Sequence, residues 1–371
     1  MKYRLPALDW MRGIVVVLMA ADHASAAYNS GRLVTDSPFF YQPGMDLPAL
    51  QFIYRWVSHI CAPTFLFLAG AGLALSISRR VETGVASWKI DRDLFVRGLI
   101  IVAIDFLFIN WFWVPGLLLL QVMFAIGCAM LLMIPLRRLE PVWLMAAAIV
   151  VLAGSEFFLP SGLEITGGKS AYIMSFLVGG GVVGKVVVMY PVLPWWAMMA
   201  LGWGFGQYLI KTRGDTRRSG GRAMLVAGTV SIAVFFVVRG VNGFGNMELL
   251  RLDNSWVQWL HTSKYPPSIS FVAMEIGLMA LVLAALFRIQ KADGGVSTKN
   301  PIIVFGQTPF FFYIMHILLF EVSARALGMH RQGGLATTGI AALIVLAVLY
   351  PVCLRYRSYK ARHRESWLRF I

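Results

Sequence analysis

The sequence predicts an all-α integral membrane protein with about ten transmembrane helices and both termini in the cytoplasm. Hydrophobic residues make up 58% of its 371 residues and charged residues only 14%, well below the roughly 25% typical of soluble domains. Apolar runs of about 20 residues recur along the chain between short charged loops, as transmembrane helices require. The basic residues cluster in alternate loops, a distribution that sets membrane orientation.

Hydropathy places ten spans along the chain. Their approximate bounds are 10–28, 53–77, 94–112, 117–136, 142–158, 191–210, 223–239, 268–287, 301–324 and 335–353. With the N-terminus in the cytoplasm, 23 of the 33 lysines and arginines lie on the cytoplasmic side and nine on the outer side, with Arg12 at the membrane edge. We therefore expect a single domain, 1–371, that ends in a short basic cytoplasmic tail, 354–371.

The longer loops, 29–52, 159–190 and 240–267, are expected on the outer side. The first is rich in Gly, Pro and aromatic residues, and we expect it to cover the ends of the helices. Within the second, the apolar run Val186–Met189 follows three consecutive glycines. A run this short predicts a re-entrant or interfacial segment rather than a span.

The first predicted span carries ionisable side chains at both ends. Arg12 and His23 are eleven residues apart, which is three helical turns, so they share one face and are separated by roughly 16 Å. Such residues usually face the interior of a helix bundle or a wet cavity. A signal peptide cleaved after Ala26 is the alternative, but the many spans that follow favour a retained helix.

Several predicted spans carry polar or ionisable side chains at the outer level of the membrane. They are Asp22, His23, His59, Asp105, Asn110, Gln121, Glu275, His316 and Glu321. Ionisable residues at membrane depth are costly and are candidates for function. Each has a structural alternative. His59 could cap the start of its helix or lie at the membrane interface, and Asp105 could be the partner of a buried Arg or His. A purely structural role is also the alternative for His316 and for His23.

A second set of candidates lies at the cytoplasmic level, where Arg12 and Arg97 stand at helix edges and suit a phosphate-bearing ligand. Charge that only sets orientation is the alternative reading. No P-loop or dinucleotide-binding glycine motif accompanies them. The net charge of +15 follows the loop pattern and so does not indicate nucleic acid, and Cys61, Cys128 and Cys353 lack the spacing of a metal site.

Five motifs occur in an order that resembles the bacterial branch of the heparan-α-glucosaminide N-acetyltransferase-like membrane proteins. They are LDWMRGIVVVLMAADH, RWVSHICAPTFLFLAG, LLQVMFAIGCAMLL, YPVLPWWAMMALGWGFG and FGQTPFFFYIMH. The first also resembles the first helix of the wider transmembrane acyltransferase superfamily, in which a histidine at the position of His23 is catalytic. In the lysosomal family member, an Asn and a later His are implicated; here Asp22 replaces the first, and no His occurs from 24 to 58.

The resemblance implies an enzyme that takes acetyl-CoA from the cytoplasm and delivers the acetyl group to a sugar on the far side. Acetyl transfer needs a base near the acceptor and help for the developing oxyanion. We expect His23 to be the general base or a transient acetyl carrier, with Asp22 or Asp105 orienting it. The further candidates are His316 and His59 for catalysis, and Arg12, Arg97 and Gln121 for binding the acetyl-CoA co-substrate.

The expected partners are membrane lipid and a sugar or glycan acceptor. We expect the acceptor to be a sugar of the bacterial cell envelope rather than heparan. We expect a multi-pass protein of the bacterial inner (plasma) membrane, without a metal or nucleic acid, and leave a homodimer open. A transporter of a small anionic or amphipathic molecule would use the same polar cavity without chemistry. A lipid-binding or assembly role is a further alternative.

Overall fold

The computed structural model describes residues 5–110, 116–160, 162–166, 168–290, 297, 299–363 and 366. In its first half the helices are α1 Pro6–Tyr28, α2 Ala49–Trp56, α3 Cys61–Glu82, α4 Ser87–Ile104, α5 Val122–Leu136, α6 Pro141–Gly154 and α7 Gly168–Met174. In its second half they are α8 Val192–Lys211, α9 Thr216–Val241, α10 Trp256–Leu260, α11 Ile269–Ile289, α12 Pro301–Gln307, α13 Pro309–Ala326 and α14 Leu335–Arg362.

The chain is a helical membrane protein. Within the described residues, six helical stretches are long and apolar enough to cross a membrane. They are Ala49–Glu82, Pro141–Phe158, Thr216–Val241, Ile269–Ile289, Pro309–Ala326 and Leu335–Arg362. Every one of them overlaps a predicted span, whereas the count of ten spans stays a prediction. Residues 111 and 112 of the third predicted span, and most of the tail beyond 363, lie outside the described residues.

Helix α1 packs against α3, α11, α12, α13 and α14 at the centre of the bundle. Its contact with α12 is backbone to backbone: a Cβ atom on Gly306 would overlap the carbonyl oxygen of Asp9, and one on Gly13 would overlap that of Ile302. Small residues permit such close helix approaches in membrane proteins. The contact fixes the N-terminal half of α1, where Arg12 lies, against α12.

The ninth predicted span, 301–324, is broken into α12 and α13 at Thr308. Pro309 disfavours the helical conformation for the residue before it and lacks an N–H to continue the helical hydrogen bonds. The break leaves Gln307 at the end of a short helix beside α1. The last helix, α14, continues to Arg362, so residues 354–362 of the predicted tail are part of a helix.

Three short strands form a small β-sheet within this otherwise helical fold. Strand β1, Leu118–Leu120, pairs in parallel with β3, Val186–Val188, which pairs antiparallel with β2, Gly181–Val183. The valine run predicted to be re-entrant or interfacial is therefore the central strand of a sheet. β-branched residues favour strands, and Gly184, with φ +59°, supplies the left-handed turn conformation of a tight hairpin.

Candidate active site

Two histidines from distant parts of the chain form a hydrogen-bonded pair. His23 on α1 and His316 on α13 are stacked, with ring centroids 4.9 Å apart, and His23 Nδ1 lies 2.6 Å from His316 Nε2. His316 Nδ1 lies 2.8 Å from the carbonyl oxygen of Phe312. A carbonyl oxygen only accepts hydrogen bonds, so His316 carries its proton on Nδ1 and accepts from His23 Nδ1–H through Nε2. In the neutral pair, the lone pair of His23 is therefore on Nε2.

Aromatic side chains hold the two rings in place. Phe312 stacks on the His316 ring with centroids 5.0 Å apart, and Phe320 meets it edge-on at 5.9 Å. Tyr313 meets both imidazoles edge-on, at 6.0 Å from His23 and 5.6 Å from His316. His316 is fully buried among these rings, and dense packing restricts its rotation away from His23.

His23 lines a cavity of about 560 Å³, which we call the His23 cavity. Six of the described residues that line it are charged, four cations and two carboxylates: Arg32, Arg55, Lys264, Arg331, Asp22 and Asp36. Arg55 Nη1 lies 2.8 Å from Asp22 and its Nη2 lies 2.6 Å from Asp36. Arg32 also binds Asp22, at 2.9 Å. The two carboxylates are thus already paired within the protein.

Asp36 stays ionised in this network. Burial alone would raise the pKa of its carboxyl group, but the nearby charge of Arg55 and a hydrogen bond with His59 hold the pKa well below its usual value.

Lys264 differs from Arg55, because its ammonium group forms no salt bridge with a described residue although only 4% of the residue is exposed. It lies 5.2 Å from the centre of the Tyr265 ring. The cavity therefore carries positive charge that its own carboxylates leave unbalanced.

A second cavity, of about 710 Å³, is lined by Arg12, and we call it the Arg12 cavity. Its described charged lining residues are Arg12, Arg80, Arg97, Lys360, Asp9 and Asp93. Asp9 binds Arg12 at 3.1 Å through one oxygen and accepts from Gln307 Nε2 at 3.1 Å through the other. Arg97 forms no ion pair with a residue that the structure describes. These cations suit a ligand that carries several phosphates.

The two cavities adjoin each other. Four residues line both of them: Met19, Phe65, Val122 and Tyr313. They come from α1, α3, α5 and α13, and we call them the apolar collar. Because α1 runs past the collar, Arg12 lines the cavity on one side of it and His23 lines the cavity on the other.

The structure brings some of the predicted site residues together. His23 and Asp22 line the His23 cavity, His316 is bonded to His23, and Arg12 and Arg97 line the Arg12 cavity. Asp22, predicted to orient His23, has its carboxylate held by Arg32 and Arg55.

Three other predicted positions differ from the expectation. Gln121, predicted to bind the acetyl-CoA co-substrate together with Arg12 and Arg97, lines the His23 cavity, whereas the two arginines line the Arg12 cavity. His59 lines neither described cavity and lies 3.1 Å from Asp36. Asp105 also lines neither and accepts from the backbone N–H of Phe124 at 3.0 Å, which stabilises the start of α5.

Sequence reasoning missed several residues of the site. Arg32, Asp36 and Lys264 lie in predicted loops, and Arg55 lies within one of the family motifs, so the sequence assigns no role to any of them. Their signal is tertiary, since loop 29–48 and residue 264 meet only in the fold, where the backbone N–H of Lys264 donates to the carbonyl of Asp36 at 2.9 Å. Tyr313 had a local signal, as it precedes His316 by one helical turn.

A family model described as heparan-alpha-glucosaminide N-acetyltransferase, catalytic, matches residues 4–239. The match includes His23, Arg12 and Arg97, and it ends before Lys264 and His316. No curated protein matches the chain.

Proposed function

Since this chain belongs to the heparan-alpha-glucosaminide N-acetyltransferase family, we propose that it moves an acetyl group from cytoplasmic acetyl-CoA to a sugar or envelope glycan on the outer side of the membrane. The observation that carries the proposal is the His23–His316 pair, because His23 lines one of two adjoining cavities and lies beside the collar that they share. A base placed there reaches an acceptor in one cavity and a donor that enters from the other.

The Arg12 cavity fits the donor. Its four described cations outnumber its two carboxylates, and Arg97 has no carboxylate partner among the described residues, so phosphates of coenzyme A would complete the charge balance. Along α1, His23 lies about 16 Å beyond Arg12 at 1.5 Å per residue. Coenzyme A is long enough for its thioester to approach His23 while its phosphates stay near Arg12 and Arg97.

The His23 cavity suits the acceptor. Its volume of about 560 Å³ falls within the range of sites for small molecules, roughly 300–1,000 Å³. Its excess of cations, with Lys264 unpaired among the described residues, favours an acceptor sugar that carries a carboxylate, sulfate or phosphate. Gln121 at the edge of the same cavity would then contribute to acceptor or thioester positioning.

In the proposed reaction, Nε2 of His23 takes the proton of the acceptor amine or hydroxyl while the acceptor nitrogen or oxygen bonds to the acyl carbon. The carbon–sulfur bond breaks, and the proton passes from His23 to the leaving sulfur, so that acylated sugar and free coenzyme A result. His316 accepts a hydrogen bond from the imidazolium of His23 and so stabilises its positive charge. Direct transfer needs no covalent enzyme intermediate.

The proposal includes a topology. Ten spans with both termini in the cytoplasm agree with the distribution of basic residues, and they put the Arg12 cavity on the cytoplasmic side and the His23 cavity on the outer side. A bacterial inner (plasma) membrane is the proposed location, because it separates cytoplasmic acetyl-CoA from envelope glycans.

Transport of a small anion is the second candidate function. It is favoured by the observation that the two cavities adjoin each other and share four lining residues. The two candidates differ in chemistry. Purified protein incubated with acetyl-CoA and a panel of amino sugars should release free coenzyme A, and the His23→Ala variant should release at least about 10²-fold less. The His363→Ala variant, changed at an exposed position after α14, should match the unsubstituted protein. No release with any acceptor, together with acceptor uptake into proteoliposomes, would instead support the transporter.

A further inference from the structure

The apolar collar has the geometry of a size filter. Its four members are bulky, and Met19 and Tyr313 are at most 6% exposed, although each lines both cavities. Protein interiors are packed as densely as organic crystals, so adding one methylene group at such a place forces neighbouring side chains to move and costs free energy. The size of a ligand that reaches from one cavity to the other would therefore matter most at the collar, whose residues line both.

The collar lies directly beside the histidine pair. Met19 precedes His23 by four residues on α1, so the two side chains lie on the same face one turn apart. Tyr313 precedes His316 by three residues on α13, and its ring centroid is 6.0 Å from that of His23. An acyl carbon within reach of His23 is consequently next to the side chains of the collar.

We propose that the apolar collar sets the length of the acyl group, so that acetyl is accepted and longer chains are rejected. This inference rests on the proposed function. The phosphate-binding cations line the Arg12 cavity and His23 lines the other, so the thioester reaches His23 only by entering the collar. There the terminal methyl of an acetyl group contacts Met19, Phe65 or Val122, and each further methylene would have to displace one of these side chains.

Shortening a collar side chain should widen the range of accepted donors. The test uses the Met19→Ala and Val122→Ala variants in full-length protein in lipid nanodiscs. Met11→Ala is the matched control, because Met11 lies on the same helix, is fully buried and lines neither described cavity. Titration calorimetry gives the dissociation constants of coenzyme A, acetyl-CoA and butyryl-CoA, so the result does not depend on turnover.

The unsubstituted protein should bind acetyl-CoA at least tenfold more tightly than butyryl-CoA. In Met19→Ala or Val122→Ala that ratio should fall to about one or invert, whereas Met11→Ala should keep it. Two folded collar variants with the unsubstituted ratio would overturn the inference, as would equal binding of both thioesters by the unsubstituted protein. Failure of that protein to bind coenzyme A at all would overturn the proposed function as well, which distinguishes the two failures.

Discussion

The carbonyl oxygen of Phe312 determines which nitrogen of His23 can act as a base. It binds the Nδ1–H of His316, so the other nitrogen of His316 is left to accept from His23. In the proposed reaction, His316 takes the orienting role that the sequence predicts for Asp22 or Asp105. It would act through His23 and is therefore proposed as a positioning residue.

Replacement of His316 should therefore reduce turnover without affecting donor binding. In His316→Ala, His23 loses the acceptor that fixes its ring and its protonation pattern, and misplacement of a reacting group by about 1 Å can cost about 10²-fold in rate. We expect a fall of that order in coenzyme A release and an unchanged dissociation constant for coenzyme A in calorimetry. A folded His316→Ala protein with nearly normal turnover would contradict this account of the pair.

Arg97 should contribute to donor affinity. It lines the Arg12 cavity and has no ion-pair partner among the described residues, so a phosphate would bind it without breaking another contact. Loss of one charge-assisted hydrogen bond costs about 1.5–3 kcal/mol, which is about tenfold or more in affinity. Arg97→Gln should raise the dissociation constant of coenzyme A accordingly. Arg92 is an exposed neighbour on α4 that lines neither described cavity, so Arg92→Gln should leave the dissociation constant of coenzyme A unchanged. If both variants bind coenzyme A equally well, Arg97 only helps to set the orientation of the protein in the membrane.

At the level of secondary structure, the contact between α1 and α12 fixes the position of these two helices relative to each other. Gly13 and Gly306 allow the backbones to touch, and Asp9 links Arg12 on α1 to Gln307 at the end of α12. The break at Thr308 then lets α13 carry His316 to the other end of α1. One helix therefore carries both Arg12, which is proposed to bind the donor, and His23, the proposed base.

A side chain at Gly306 should destabilise the protein. The Cβ atom of Gly306→Ala would overlap the carbonyl oxygen of Asp9, and overpacking of this kind typically costs about 1–3 kcal/mol. We expect a lower midpoint of thermal unfolding in detergent. Gly339→Ala is the control, because nothing described lies near its Cβ position on α14 and alanine is favoured over glycine in helices. Equal midpoints for the two variants would contradict the close approach of α1 and α12.

For the whole molecule, the decisive property is which cavity faces the cytoplasm. The basic-residue distribution predicts that the turn between α8 and α9 is cytoplasmic and that loop 29–52 is external. Cysteines placed at Arg218 and Asp46, both exposed, test this with a membrane-impermeant thiol reagent in intact cells. Only the cysteine at 46 should react above the background of the unsubstituted chain, in which Cys61 and Cys353 are buried and Cys128 is half-buried. Modification at 218 alone would invert the proposed orientation and with it the direction of transfer.

The sequence by itself determined the features that depend on neighbours along the chain. Apolar runs located the helices, because a bilayer demands about 20 apolar residues per span, and helical periodicity put Arg12 and His23 on one face of α1. The ordered motifs identified the family, which the match over 4–239 confirms.

Only the tertiary structure decided the contacts between distant segments. His316 is 293 residues from His23, and no periodicity relates the two. The same holds for the pairing of 118–120 with 186–188, which makes the segment predicted to be re-entrant or interfacial a strand. It holds as well for the ion pairs of Asp22 with Arg32 and Arg55 and for the collar from four helices. Such contacts depend on how the helices pack, and side-chain patterns within one helix carry no record of which residues of another helix they will meet.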